Sequence, residues 1–237
     1  MVFALYFKYK APIMTIPRAI HGLLALFFGI LSLVVDAQVN LKTGYSISLN
    51  SDEAIDNIIA EHNQSTMNTE KFKNLRWMHG FDTGLRYKSG PNAFELSYLG
   101  AYRHLRAEYP NPLGGNHLVD KLKFDVHSAG FSYQLSEGYF GGGVEIQYQW
   151  YVTKATLTQP DRKFKNVQEM WGTKLYLMLI LGGAGDVALV IEPYYIIPHG
   201  TYDSQPLQQF LETPSTQDQN KWTRFGISFL FYNGRQE

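Results

Sequence analysis

The stretch Phe140-Gly-Gly-Gly-Val-Glu-Ile-Gln-Tyr-Gln-Trp-Tyr-Val152 alternates between two kinds of side chain. Its even positions are mostly apolar or aromatic, whereas its odd positions include Glu145, Gln147 and Gln149. A period of two is typical of a β-strand, because successive side chains point to opposite faces. The stretch therefore predicts a strand with one oily face and one polar face that carries a charge.

Seven further segments repeat this split, so eight strands can be placed along the chain. Each is about as long as a tilted crossing of a bilayer requires, roughly ten residues. The predicted strands are Val39 to Leu49, Leu75 to Lys88, Ala93 to His104, Lys121 to Leu135, Phe140 to Val152, Met170 to Leu181, Val187 to Ile197 and Trp222 to Tyr232. Long polar connections (50–74, 105–120, 154–169 and 198–221) alternate with short ones (88–92, 136–138 and 182–186).

This alternation predicts an all-β fold whose apolar side chains face outward to lipid and whose polar side chains face inward. In a transmembrane barrel with both termini in the periplasm, the extracellular loops are long and the periplasmic turns are short. Only helices and closed barrels satisfy their backbone hydrogen bonds in a bilayer. We therefore expect an eight-stranded antiparallel up-and-down transmembrane β-barrel, with apolar residues facing the lipid.

The first 37 residues have the pattern of a secretory signal peptide. An apolar run from Gly22 to Val35 follows Arg18, and Val35-Asp-Ala37 places small residues before a cleavage site. An uncleaved anchor or a buried helix is the alternative, although the run is short for a membrane helix. Met14 is an alternative start, because residues 14–37 alone contain the full signal pattern. We thus expect a signal peptide over 1–37 and a barrel domain over 38–237.

Composition excludes several classes of protein. Removal of residues 1–37 leaves 18 basic and 20 acidic residues, and this near balance argues against nucleic-acid binding. The chain has no cysteine, so it has no disulfide, no thiol nucleophile and no lipoprotein acylation site. Aromatic residues make up 15% of the sequence, and 21 glycines accompany them, which favours strands joined by tight turns.

Three local features refine the predicted strands. In the fourth strand, Leu122 to Val126 and Ala129 to Leu135 place their apolar residues on opposite parities, which predicts a bulge near His127-Ser128. Pro193 lacks an N–H, so we expect a bulge or an interrupted pair there. The segment Asp52 to Glu61 has isoleucines at helical spacing, which predicts a short amphipathic helix over the barrel mouth.

The chain resembles the small outer-membrane β-barrel proteins of Gram-negative bacteria, of the OmpA-transmembrane and OmpX kind. The resemblance covers about residues 38–232 and rests on the signal, the strand count, the loop lengths and the aromatic last strand, Phe225-Gly-Ile-Ser-Phe-Leu-Phe-Tyr232. It implies a location in the bacterial outer membrane and biogenesis by the barrel-assembly machinery. A role in the cell envelope, porin-like or structural, is also implied.

Nine charged residues are predicted to point into the barrel. The interior of an eight-stranded barrel is only wide enough for side chains, so these charges should pair with one another. The predicted interior network is Lys42, Asp82, Arg86, Glu95, Arg103, Glu145, Lys174, Glu192 and Arg224. A structural plug of salt bridges is the favoured interpretation, and a narrow channel for ions or small solutes is the alternative.

Function is less sharply indicated than fold. We expect a structural or surface-binding protein without a cofactor, a metal site or catalytic residues, whose partners include an unidentified surface or envelope protein. Arg106, Arg162, Lys163 and Lys165 are expected to contact anionic lipopolysaccharide in the outer leaflet. A lipid-modifying enzyme is the third possibility, because histidines accompany acids near the predicted outer rim (His104 with Glu108, His117 with Asp120, and His199 with Asp203 and Ser204). Trp77, Tyr102, Tyr109, Trp150, Tyr151, Trp171 and Trp222 are expected to form an aromatic girdle at the same end.

Overall fold

A computed structural model describes residues 38–66, 70–111, 114–115, 117–158, 161–182, 187–214 and 219–233. The predicted signal peptide and the alternative start at Met14 lie outside these residues. Residues Gln38–Glu237 form one compact unit.

The eight predicted strands are present and close into a barrel. The elements, in chain order, are β1 (Gln38–Ser51), α1 (Glu53–Ser65), β2 (Trp77–Ser89), β3 (Asn92–Tyr109), β4 (Leu118–Glu137), β5 (Phe140–Leu157), β6 (Arg162–Leu181), β7 (Val187–Pro198), β8 (Tyr202–Asp203), α2 (Gln205–Leu211), β9 (Gln219–Asn220) and β10 (Thr223–Asn233). The barrel order is β1-β10-β7-β6-β5-β4-β3-β2, and β8 pairs with β9 in a separate ribbon. Every pairing is antiparallel, so the predicted fold class is confirmed. Within the described chain, neither helix has the length and apolar character needed to cross a membrane.

A belt of exposed apolar side chains surrounds the lower part of the barrel. In β5, Val144 and Ile146 are 50% and 60% exposed, while Glu145 and Gln147 between them are buried. The same alternation continues around the sheet. Other exposed members of the belt include Leu41, Phe81, Leu85, Leu96, Phe131, Leu135, Leu175, Leu177, Phe229 and Phe231. An apolar outside and a polar inside are the arrangement of a barrel that spans a bilayer.

The predicted bulge in the fourth strand is wrong. The register between β3 and β4 runs without a break from Asn92↔Leu135 to Tyr109↔Leu118. Leu122, Phe124 and Val126 therefore point into the barrel, where they are fully buried. No bulge is needed, because the apolar residues are on the inside in the upper part of this strand and on the outside in the lower part.

The upper part of the barrel wall therefore has its apolar side chains inside and its charged side chains outside, as the wall of a water-soluble barrel has. The strands β3 to β6 extend further than the sequence predicted, so half of 105–120 and three quarters of 154–169 are paired strand rather than loop. Above the belt, charged side chains face outward and apolar ones face inward. The outward side chains change from apolar to charged at this height, while the direction of each side chain still follows the same alternation.

Pro193 interrupts one ladder, as predicted. The pairing of β6 with β7 includes Tyr176↔Tyr194 and resumes at Leu179↔Ile191. The register is the same on both sides of the gap, so the interruption adds no residue. On its other side, Pro193 stays paired with Ile227 of β10. The missing N–H of proline thus faces β6, where its absence removes a hydrogen bond.

The barrel mouth is covered by α1 and α2. The predicted helix is present as α1, and the Asp52 carboxylate caps it by accepting a hydrogen bond from the Ile55 N–H at 3.1 Å. Ile55, Ile58 and Ile59 on its lower face belong to a buried apolar cluster that also contains residues of β3 to β6 and α2. Burial of this face holds the helix over the mouth.

The predicted aromatic girdle is only partly on the outside. Trp77 and Trp171 are about half exposed, but Tyr151 and Trp222 are buried inside the mouth. The Trp222 ring packs against the rings of Tyr151 and Tyr202, with centroids 5.0 Å away in both cases. These two residues therefore belong to the buried apolar cluster and cannot contact lipid.

Candidate functional site

The barrel interior contains a cluster of charges built on two lysines. The ammonium of Lys42 lies 2.8 Å from Asp82 and 2.5 Å from Glu95. The ammonium of Lys174 lies 2.7 Å from Glu192, 3.5 Å from Asp82 and 3.8 Å from Glu145. Asp82 is the link, because it contacts both lysines. Two cations thus hold four carboxylates, and all six side chains are buried.

Neutral groups complete the hydrogen bonding of three of these carboxylates. The Ser97 hydroxyl donates to Glu145 at 2.7 Å, and the Ser228 hydroxyl donates to Asp82 at 3.3 Å. The hydroxyl of Tyr232 and the amide of Gln134 donate to Glu95 at 3.1 and 2.8 Å. Within the described chain, Lys174 is the one hydrogen-bond partner of the Glu192 carboxylate. Burial of a carboxylate is tolerable only with such partners.

Inward glycines provide the space for the long charged side chains. A Cβ atom on Gly130 would lie 2.2 Å from the Glu145 carboxylate, and one on Gly84 would lie 3.3 Å from the Lys42 stem. The same pattern places Tyr194 over Gly226. A small barrel fills its interior by setting large side chains against small ones.

The three arginines of the predicted network lie outside this cluster. Arg86 is buried with its guanidinium over the Tyr232 ring, 4.4 Å from the centroid. Arg224 is buried and donates to the Ser128 hydroxyl at 3.2 Å. Arg103 is half buried in the upper wall. The structure therefore brings six of the nine predicted residues into one ion-paired cluster, while Arg86 lies opposite Glu95 in the β2–β3 register and packs on Tyr232, which donates to Glu95.

Apolar packing closes the barrel above these charges. Trp222, Tyr151, Tyr202 and Phe124 fill the mouth beneath α1 and α2, and each is at most 1% exposed. Their polar atoms are satisfied locally: the Trp222 N–H donates to Asn50 at 3.2 Å, and the Tyr202 hydroxyl shares a 2.7 Å hydrogen bond with Thr153. Burial raises the pKa of Tyr202, so its phenol stays neutral. An ion crossing the barrel would have to displace this packing.

Basic side chains form two rows on the outer wall above the apolar belt. The cross-strand register places Lys154 of β5 directly between Lys123 of β4 and Lys165 of β6. His104 of β3 continues this row on the far side of Lys123. The second row lies two residues higher and contains Arg106, Lys121, Thr156 and Lys163 in adjacent strands. We call the seven basic residues of the two rows the basic wall.

The basic wall is only partly neutralised. Asp125 lies 3.6 Å from Lys154 and 3.8 Å from His104, and Glu108 lies 3.2 Å from Arg106. Four lysines of the wall are exposed and, among the described residues, form no ion pair: Lys121, Lys123, Lys163 and Lys165. Like charges placed directly opposite each other destabilise a sheet. An array of this kind becomes favourable when an anion lies across it.

The wall also lies at a defined height above the membrane. Trp150 precedes Lys154 by four residues on the same outward face of β5, about 13 Å along the strand at the usual rise. Tryptophan at a barrel surface marks the level of the lipid headgroups. Four adjacent strands make the wall about 14 Å wide. The wall is thus a band of positive charge above the level of Trp150, wide enough to face several anionic groups at once.

Arg162 does not belong to the basic wall. Its guanidinium donates to the Glu212 carboxylate at 2.7 Å and to the Phe210 carbonyl at 3.1 Å. Both partners lie at the end of α2, so Arg162 anchors this helix to β6. Of the four residues expected at the outer leaflet, Arg106, Lys163 and Lys165 face outward and Arg162 does not. The sequence analysis missed Lys121, Lys123 and Lys154, whose outward alternation was the available signal.

The candidate catalytic pairs do not assemble. His104 is on the outer wall beside Asp125 rather than Glu108. His199 shares a 2.8 Å hydrogen bond with the Thr173 hydroxyl, whereas Ser204 is buried before α2. His117 is exposed, and Asp120 beyond it accepts a hydrogen bond from the Thr158 N–H at 2.7 Å. Among the described residues, no cluster of His, Asp or Glu has the arrangement of a metal site.

Comparison with known proteins yields structures but no sequence relatives. No family model matches the chain, and no curated protein matches it either. Ail, the attachment invasion locus protein of Yersinia pestis, solved with the heparin analogue sucrose octasulfate, aligns at a TM-score of 0.46 and 11% identity over 85% of this chain and 99% of Ail. Neisserial surface protein A aligns at a TM-score of 0.41 and 9% identity over 84% of this chain and 98% of that protein.

At this level of similarity, the comparison concerns the fold alone. The ligand of the Ail crystal is a property of Ail. The resemblance drawn from the sequence is confirmed for the architecture, since the sheet closes into an eight-stranded barrel with an apolar belt. The chain is thus a closed eight-stranded antiparallel β-barrel with the outward apolar belt that membrane-spanning barrels have.

Proposed function

We propose that this protein is a sealed β-barrel of the bacterial outer membrane that binds the phosphates of lipopolysaccharide through its basic wall. The signal peptide over residues 1–37 directs it for export, and the barrel-assembly machinery inserts it. Its role is to present a binding surface rather than to conduct a solute or catalyse a reaction. Two pairs of exposed lysines that form no described ion pair and lie above the level of Trp150 carry this proposal, namely Lys121 with Lys163 and Lys123 with Lys165.

The ligand follows from the chemistry of the wall. A phosphate accepts hydrogen bonds from several ammonium groups at once, and each basic residue near an anionic membrane surface contributes about 1 kcal/mol to binding. Lysines are point charges on flexible stems, so they adapt to phosphates at irregular spacing. The apolar belt below the wall fits the acyl chains of the same lipid. Lipopolysaccharide presents both chemistries at one surface.

Two internal layers support a sealed barrel. The cluster around Lys42 and Lys174 fills one level of the interior, and the aromatic packing around Trp222 fills the level above it. The wild-type protein should therefore show no steady conductance in planar bilayers. A steady, ion-selective current from the unmodified protein would contradict the sealed state.

Binding to lipopolysaccharide provides the test of the wall. The detergent-solubilised barrel is titrated with purified lipopolysaccharide, and the dissociation constant is measured by calorimetry or native mass spectrometry. Lys123→Gln with Lys165→Gln should weaken binding by about 2 kcal/mol, roughly 30-fold. Lys73→Gln with Arg76→Gln removes the same charge from exposed positions outside the two rows and is the matched control.

The source of the anion is distinguished by two further titrations. Dephosphorylated lipopolysaccharide should bind the wild type about as weakly as the native lipid binds the double variant. A soluble sulfated polysaccharide that binds more tightly than the lipid would point to a glycan partner and overturn the choice of ligand. Equal binding by the wall variant and the wild type would remove the wall from the function altogether.

A further inference from the structure

Arg224 is a buried cation with an incomplete set of partners. Its side chain is fully buried, and within the described chain it makes one hydrogen bond, from Nη2 to the Ser128 hydroxyl at 3.2 Å. Its Nε and Nη1 atoms are buried without a hydrogen-bond partner. No described carboxylate lies within ion-pair distance of it. Arginine stays protonated in proteins, so it cannot avoid this cost by losing its charge.

Other unsatisfied polar groups lie around the same guanidinium. Ser128, which accepts from Arg224, is directly opposite Gln149 in the β4–β5 register, and both point inward. Gln147 is the next inward residue on β5, and Ser48 of β1 lies opposite Gly226, the next inward residue of β10 after Arg224. We call Arg224, Ser128, Gln147, Gln149 and Ser48 the arginine layer.

The arginine layer contains more free donors than free acceptors. Besides the two Arg224 nitrogens, the amide nitrogens of Gln147 and Gln149 and the hydroxyl of Ser48 are buried without a described partner. The Gln149 carbonyl already accepts from the Tyr151 hydroxyl, so the Gln147 carbonyl is the free amide acceptor of the layer. A water molecule must donate as well as accept, whereas an anion only accepts. A cationic layer with excess donors therefore favours an anion over water.

The carboxylates of the charge cluster do not supply the missing acceptors for Arg224. The Glu145 carboxylate of the cluster lies over Gly130, which is opposite Gln147 in the β4–β5 register, but it is held by the Lys174 ammonium at 3.8 Å and by the Ser97 hydroxyl at 2.7 Å. The carboxylates are also held by the two lysines. The aromatic packing around Trp222 separates the layer from the outside, which excludes a ligand as large as a phosphate ester or a glycan.

We propose that the arginine layer binds one small monovalent anion of the chloride class inside the barrel. The anion accepts hydrogen bonds from the Arg224 guanidinium and from the amides of Gln147 and Gln149. This site is independent of the basic wall and goes beyond the proposed surface function. Its role is to neutralise a cation on which the closed barrel depends.

Bromide is the probe, because it replaces chloride and scatters X-rays anomalously. Crystals of the wild-type barrel grown in bromide should show an anomalous peak within hydrogen-bond distance of the Arg224 guanidinium. In solution, the thermal midpoint of the wild type should be at least about 3 °C higher in bromide than in gluconate at equal ionic strength, because a ligand of the folded state stabilises it.

Two variants connect the effect to the site. Arg224→Met should lose the difference between bromide and gluconate, whereas Arg76→Met, which removes an exposed arginine, should retain it. Should Arg224→Met fail to fold, the two measurements on the wild type still decide the question. A water-filled or empty layer in bromide crystals, or identical thermal midpoints in the two salts, would overturn the proposal.

Discussion

Removal of the Lys174 ammonium is the sharpest test of the ion-paired interior. In Lys174→Met the stem stays apolar and of similar length, but three buried carboxylates lose a cation at 2.7, 3.5 and 3.8 Å. Asp82 keeps Lys42, and Glu145 keeps the Ser97 hydroxyl, while Glu192 has no other described partner. The main cost therefore comes from the Glu192 carboxylate, which stays buried in the barrel interior without a counter-ion.

The size of this cost can be estimated. Breaking a buried ion pair by removing one partner costs about 3 to 5 kcal/mol. For a domain of this length, each kcal/mol lowers the thermal midpoint by about 2 to 4 °C, so we expect a fall of roughly 10 °C. Lys174→Met with Glu192→Gln removes the orphaned charge together with its partner. This double variant should recover part of the loss, because a neutral amide costs less to bury than an unpaired carboxylate.

The assay uses the resistance of a closed barrel to detergent. Samples are heated in sodium dodecyl sulfate over a temperature series, and the folded and unfolded forms are separated by gel electrophoresis. Leu177→Met, on the outer face of the same strand, controls for the introduction of methionine. Equal midpoints for Lys174→Met and the wild type, or a double variant less stable than the single one, would refute the reasoning.

Three further predictions concern the apolar belt, an interior glycine and helix α1 over the barrel mouth. Leu177→Arg, at a position 68% exposed in the belt, should cost about 2 to 4 kcal/mol and reduce assembly into membranes, whereas Thr156→Arg on the basic wall should assemble normally. Gly130→Ala should lower the thermal midpoint because its Cβ would meet the Glu145 carboxylate, and the same change should be harmless in a Glu145→Ala background. Burial lowers the pKa of His62 in α1, so His62 binds a proton more tightly when α1 is unfolded from the barrel mouth. The contribution of His62 to the stability of the folded helix should therefore be complete above the ordinary histidine pKa of about 6.5 and should decline as the pH falls below that value. The protection factors of the α1 amides, which are corrected for the intrinsic pH dependence of hydrogen exchange, should therefore fall on acidification in the wild type but not in His62→Phe, and pH-independent protection factors in the wild type would exclude this role of His62.

The interior charge network shows which features can be predicted from the alternation of side chains along the sequence and which cannot. The alternation of side chains placed Lys42, Asp82 and Lys174 on the polar face of their strands, since each residue's face depends only on its neighbours in the chain. Which of these charges meet depends on closure of the barrel. Lys174 and Asp82 are 92 residues apart and are not on adjacent strands, so their contact follows from the diameter of the interior.

The alternation by itself determined that the chain forms eight strands with two unlike faces, because a strand's period is local. It did not determine which face is wet at each height. Taking every apolar face for a lipid face required a bulge in β4, yet the outer side of the upper wall is charged and its apolar side chains, such as Leu122 and Phe124, point inward. The basic wall likewise depends on the cross-strand register, which brings Lys123, Lys154 and Lys165 side by side. Register and membrane height are properties of the assembled sheet, and only the tertiary structure decided them.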